Sequence, residues 1–282
     1  TFSSKVLVFL LMPFYTRVLT RGQLGTADLI VQTSNLIIPI VSVGISNAII
    51  RFGLDRSNDK RDVFTGGITI LGCGYILFLL LRPVLVRIPM MEEHITYLHL
   101  IYLYVFASCL RALCSQFVRA REYVRLYAFD GVLSTATVIL FNVIFLVVFH
   151  LGITGYVLAT ICSDLFSAIF LFWIAKLYRF IQFKRMDWDV AKEMLRFALP
   201  LIPANIFWWI TNVSDRYFVA YMINNEANGL YAMAYKIPTM IILVSGIFTD
   251  ERKMFDIPEK DRGRDRFCNN VTNAYHVIIF RA

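Results

Sequence analysis

Six ionisable side chains lie inside, or at the immediate ends of, the long apolar stretches of this chain: Arg17, Asp28, Asp164, Asp215, Arg216 and Lys236. Holding such a group away from water costs at least a few kcal/mol, so it normally faces a polar interior and marks a path or a partner. A guanidinium offers a planar donor fork and an ammonium a point charge, and both suit a phosphate or pyrophosphate. Arg17, Arg216 and Lys236 are therefore the candidates for holding an anionic headgroup. Asp28, Asp164 and Asp215 are candidates for ion pairing or for binding a coupling ion, a proton or Na⁺. Asp215 and Arg216 are adjacent and cannot face one another on a helix, so each needs a partner elsewhere. Lys236 for Asp215 and Asp28 for Arg17 are the expected pairings. The plainer alternative is that these groups are interhelical glue, or that Arg17 and Asp28 snorkel to the headgroups.

Other chemistries lack their residues. The five cysteines include no CxxC and have no histidine at ligand spacing, so no metal site is expected. Neither GxxxxGK[ST] nor a dinucleotide-binding glycine pattern occurs, and HExxH and GxSxG are missing too, so no cofactor and no enzymatic activity are expected. The acidic pair Glu92 and Glu93 would project about 100° apart on a helix, which is poor geometry for paired catalytic carboxylates.

The elements that position the six residues follow from composition. The chain has 282 residues, of which 58% are hydrophobic and 17% charged, far from the balance of a water-soluble globule. About 20 mostly apolar residues cross a bilayer as a helix. Residues 5–19, 29–50, 63–81, 95–110, 197–221 and 229–248 each read as one crossing. The uncharged run 131–163 is too long for one, and the glycines around 150–155 split it into two. The sequence thus predicts an all-α polytopic membrane protein with eight complete spanning helices and the start of a ninth from residue 271. A start without Met and an end inside an apolar run predict a fragment of a longer protein.

The net charge is +8, and the cations are unevenly placed. Residues 51–62 and 111–125 hold four Lys or Arg each, and 176–196 and 250–266 hold six each. The alternate connections, 17–26, 82–94, 150–155 and 222–228, hold two, two, none and none. Basic loops stay cytoplasmic, so the N-terminus is predicted to be cytoplasmic. Arg17, Asp28, Asp215, Arg216 and Lys236 then share the outer half, which points to a polar chamber opening outward. The basic runs with interleaved aromatics read as topology determinants touching anionic membrane lipids, not as a nucleic-acid surface. Prolines 13, 39, 200, 203 and 238 concentrate in spans one, two, seven and eight, a device of transporters that bend.

Those four spans also repeat one another. The first pair runs Pro13-Phe-Tyr-Thr-Arg-Val-Leu-Thr20 to Gly25, and the second runs from Pro200-Leu-Ile-Pro203 through Ser214-Asp-Arg-Tyr217 to Gly229-Leu-Tyr-Ala232, with Gly229 in the place of Gly25. An offset of six spans keeps both copies in the same orientation, as two parallel lobes: residues 1–185, and an incomplete second lobe over 186–282. With the Phe197-Ala-Leu-Pro-Leu-Ile-Pro203 entry, these motifs resemble the polysaccharide biosynthesis protein family, the oligosaccharide-lipid flippases within a larger exporter group that includes multidrug and toxin extruders and lipid II flippases. The resemblance implies roughly 12 to 14 helices in two lobes around a cavity working by alternating access. It also implies export of a polyprenyl-pyrophosphate-linked oligosaccharide across a bacterial inner (cytoplasmic) membrane. Other envelope glycan biosynthesis proteins are further implied partners. The stretch Phe14-Tyr-Thr-Arg-Val-Leu19 matches the first-helix arginine pattern of the lipid II flippases, which carries their pyrophosphate role onto Arg17. Alternatives are a cation-coupled drug exporter using Asp164 or Asp215, a membrane glycan polymerase or ligase, and a non-transporting assembly factor. A cationic cavity favours the lipid pyrophosphate and an anionic one favours cationic drugs.

Overall fold

The computed structural model describes residues 11–55, 58–85, 97–182 and 187–235. Those residues are helical, and no strand occurs among them. The principal helices are α1 (Met12–Val18), α2 (Arg21–Val41), α3 (Ile45–Leu54), α4 (Lys60–Leu80), α5 (Leu98–Ala120), α6 (Val124–Asn142), α7 (Gly152–Ile174), α8 (Trp188–Ala198), α9 (Leu201–Met222) and α10 (Asn225–Ala234). The fold divides after Met233, and the following concerns the first unit.

Six described segments are long and apolar enough to cross a membrane: Arg21–Val41, Lys60–Leu80, Leu98–Ala120, Val124–Val148, Gly152–Ile174 and Trp188–Met222. The expected crossings at 5–19 and 229–248 fall partly outside the described residues, and the ninth, from 271, falls wholly outside. The polytopic helical class therefore stands, with six candidate spans among the described residues. Many large apolar side chains point outward, among them Leu80, Val148, Trp173, Phe207 and Trp208, as expected where the surrounding solvent is hydrocarbon.

Local sequence explains most boundaries. At the start of α2, the Thr20 hydroxyl accepts from Gln23 N–H at 3.3 Å while the Gln23 side chain accepts from Thr20 N–H at 3.0 Å. This reciprocal cap satisfies two donors that the first helical turn would leave bare. The expected crossing over 29–50 is corrected: α2 starts at Arg21 and stops at Val41. Val43 and Gly44 take left-handed φ of 51° and 62°, and Gly44 N–H bonds back to Pro39 O at 3.1 Å. Pro39 has no N–H to continue the ladder and Gly44 accepts the reversed backbone, so the chain breaks and restarts as α3.

The turn in the long apolar run is where the glycines place it. α6 passes into a π-helical segment, Val143–Val148, His150 and Gly152 adopt positive φ, and α7 begins at Gly152. The fourth crossing is corrected: α5 does not stop at residue 110 but runs to Ala120, which places Arg111 inside the helix and not in a basic loop. The core lies among α3, α4, α5, α7 and α8, with Phe64 against Phe117 at 4.5 Å between ring centroids and Ile49, Leu113, Ile161 and Met194 almost fully enclosed. Small residues bring the helices together. A side chain on Gly67 would meet Ile49 Cδ1 at 2.8 Å, and one on Gly53 would meet Ala120 Cβ at 2.7 Å. α8 presents Ala191, Met194 and Ala198 to that core and leaves Asp189, Lys192, Glu193 and Arg196 exposed.

Candidate functional site

Two polar clusters lie within the spanning helices. The first joins α2 to α9 and α10. Arg216 Nη1 donates to both Asp28 oxygens, at 2.5 and 2.7 Å, and the Arg216 residue is only 8% exposed. Lower on the same pair of helices, Tyr217 and Thr33 share a hydroxyl hydrogen bond of 2.8 Å, and the Trp209 indole N–H donates to Gln32 O at 3.0 Å. At the top of α10, the Asn228 amide donates to Gly25 O at 3.1 Å. Asp215 faces away from Asp28 and accepts from the Tyr231 hydroxyl. Its other oxygen accepts from Arg216 N–H at 3.0 Å, so adjacent residues of opposite charge serve two different neighbours. That separation is what a helix imposes on positions i and i+1.

The structure thus brings Asp28 and Arg216 together, which corrects the expected Asp28–Arg17 pairing. Asp28 sits two turns into α2, level with the last third of α9. Arg17 lies on the short α1, exposed, and makes no ion pair with another described residue. Behind the Asp28–Arg216 pair lies an apolar and aromatic packing of Leu11, Tyr15, Leu24, Leu146 and Met233, with Tyr156 against the Tyr15 ring at 5.0 Å. Lys236, the third expected headgroup cation, lies outside the described residues, as does any contact between it and Asp215.

The second cluster sits among α5, α6 and α7. Asp164 accepts from Arg111 Nη1 at 3.0 Å and from the Ser108 hydroxyl at 2.6 Å. Arg111 Nη2 lies 3.7 Å from Asp130, Arg111 Nε donates to the Ser167 hydroxyl at 3.1 Å, and Ser167 donates to Asp130. A neighbouring chain links Thr137, Ser163 and the Ser134 carbonyl at 2.7 to 2.9 Å. Asp164 was singled out in the sequence, whereas Arg111 and Asp130 were not. The legible signal was spacing: Ser108 with Arg111, and Asp164 with Ser167, are each three residues apart and so share a helix face. The two clusters differ in how their charges meet: Arg216 donates to Asp28, while at Arg111 one guanidinium faces two carboxylates.

The family model described as polysaccharide biosynthesis protein matches residues 14–247. No curated protein and no solved structure matches the chain. The match extends across every spanning helix described above and includes both polar clusters. The chain therefore belongs to the polysaccharide biosynthesis protein family.

Proposed function

We propose that this chain is part of a flippase that carries a lipid-linked oligosaccharide, built on polyprenyl pyrophosphate, from the cytoplasmic to the outer leaflet of a bacterial cytoplasmic membrane. The observation that carries the reading is the family match over 14–247, which covers all six candidate spans among the described residues and both polar clusters between them. The polyprenyl tail remains in lipid while the anionic headgroup passes between the two lobes. Arg17 is exposed and available to a pyrophosphate. Arg216 is held by Asp28 at rest, and an arriving headgroup competes with that carboxylate for the same guanidinium, so the charge is offset at each stage. Lys236 completes the expected cationic set. The process is transport without covalent chemistry, with a cytoplasmic N-terminus, an orientation that the uneven loop cations support.

A second reading, a cation-coupled exporter, is favoured by one observation: the Arg111 cluster carries one carboxylate more than it has cations. Reconstitution of the intact protein in vesicles separates the two. The flippase reading expects leaflet exchange of a labelled polyprenyl-pyrophosphate saccharide and no uptake of a lipophilic cationic dye. Dye transport driven by a cation gradient, with the glycolipid unmoved, would reject it.

A further inference from the structure

We infer that adjacent stripes of α2 and α9 hold the uncharged, hydroxylated part of a saccharide, through their carboxamides and the indole of Trp208. The inference rests on the flippase reading for its substrate, but not for its geometry. On α9, Asn205, Trp208, Asn212 and Asp215 are three, four and three residues apart and share one flank, and on α2 Gly25, Asp28, Gln32 and Asn35 follow the same spacing. The Arg216–Asp28 bond at 2.5 Å and the Trp209–Gln32 bond at 3.0 Å hold α9 beside the α2 stripe over two turns. α10 meets both stripes at one end: Tyr231 donates to Asp215, and a Cβ on Gly25 would fall onto the Asn225 carbonyl. The two stripes therefore leave α10 side by side.

These stripes are poorly suited to hydrocarbon. Asn35 is exposed and Asn205 partly buried, and neither side chain makes a hydrogen bond to another described residue. The Asn212 amide bonds only to the Trp208 carbonyl of its own helix, at 2.7 Å. All three lie within candidate spans, where an unpaired carboxamide facing lipid is costly. The opposite flank of α9 differs. Phe207, Ile210, Phe218 and Tyr221 are exposed there, interrupted within that stretch by Ser214 alone, a surface suited to acyl chains. Phe207 and Trp208 are each 67% exposed. Neighbours on a helix point about 100° apart, so only the indole falls on the carboxamide side. A broad apolar ring face among groups that both donate and accept fits a pyranose, which presents a C–H face ringed by hydroxyls. Gln32, Asn35, Asn205 and Asn212 are uncharged, so they add sugar recognition beside Arg216 without changing the charge offered to the headgroup.

The adjacent, equally exposed Phe207 supplies the control. Lipid-free oligosaccharide, released by mild acid from the lipid-linked oligosaccharides of the producing cells, is titrated onto intact, monodisperse protein in detergent. The parent is expected to bind it, and Trp208→Ala and Asn212→Leu each to weaken binding about tenfold or more. Trp208→Phe, which keeps a ring, recovers most of that loss, and Phe207→Ala leaves binding unchanged. No binding by the parent, no loss in either stripe variant, or an equal loss with Phe207→Ala would overturn the inference. The expected pattern in a protein that exchanges no lipid-linked oligosaccharide between leaflets would retain the stripe and remove the flippase reading. Exchange by the parent that Trp208→Ala leaves unchanged would retain that reading and overturn the stripe.

Discussion

Removing one member of the Asp28–Arg216 pair leaves the other charged, largely enclosed and without its main counter-charge. Asp28→Leu or Arg216→Met alone is therefore expected to cost about 3–5 kcal/mol, and the double substitution much less than the sum, because a buried pair replaced by apolar groups loses little. Unfolding midpoints in detergent, arranged as a double-mutant cycle, check this. The same argument ranks the other arginines. Arg111→Ala strands Asp130 and Asp164 together and is expected to destabilise by a similar amount, whereas exposed Arg17→Ala is expected to stay within about 0.5 kcal/mol of the parent while slowing transport. A large stability loss for Arg17→Ala would show that its role is packing, not headgroup binding. Ionisable residues in spans were legible as important from type alone. Their partners were not, because Asp28 and Arg216 are far apart in sequence and only the packing of α2 on α9 chooses between Arg17 and Arg216.

Helix identity was readable from apolar length, and helix ends were readable only where a special residue sits. The glycines around 150–155 announced a turn that the structure contains. The break after Val41 was hidden, since residues 29–50 are uncharged throughout and hydropathy does not register the positive φ of Val43 and Gly44. The end of α5 was hidden for the opposite reason: Arg111 reads as a loop cation until Asp130 and Asp164 are seen to neutralise it. Two substitutions probe these elements. Thr20→Ala removes the cap of α2 and is expected to cost about 1 kcal/mol. Gly44→Ala forces a side chain into left-handed φ and is expected to cost about 1 kcal/mol as well. Thermal unfolding of each variant reads the result, and a neutral Gly44→Ala would contradict the assigned break.

The whole molecule is organised by where its cations sit and by which interfaces are polar. The uneven loop charges predict sidedness directly. A single cysteine at Asn224, in the connection between α9 and α10, is expected to react with impermeant reagent from outside the cell, and one at Lys192 on α8 only after the membrane is permeabilised. The reverse pattern would invert the orientation. The sequence repeat linking residues near 13–29 to residues near 200–232 aligns Gly25 with Gly229, and in the structure a Cβ on either would fall onto the backbone of the other's helix.

The proposed passage of an anionic headgroup past Arg17 and Arg216 is addressed directly by one comparison. Intact protein in vesicles is offered two labelled polyprenyl saccharides that differ only in whether a pyrophosphate joins lipid to sugar. Exchange of the pyrophosphate form between leaflets, lost with Arg17→Ala, together with little exchange of the uncharged form, is the predicted result. Equal exchange of both forms, or exchange no faster than in protein-free vesicles, would contradict it.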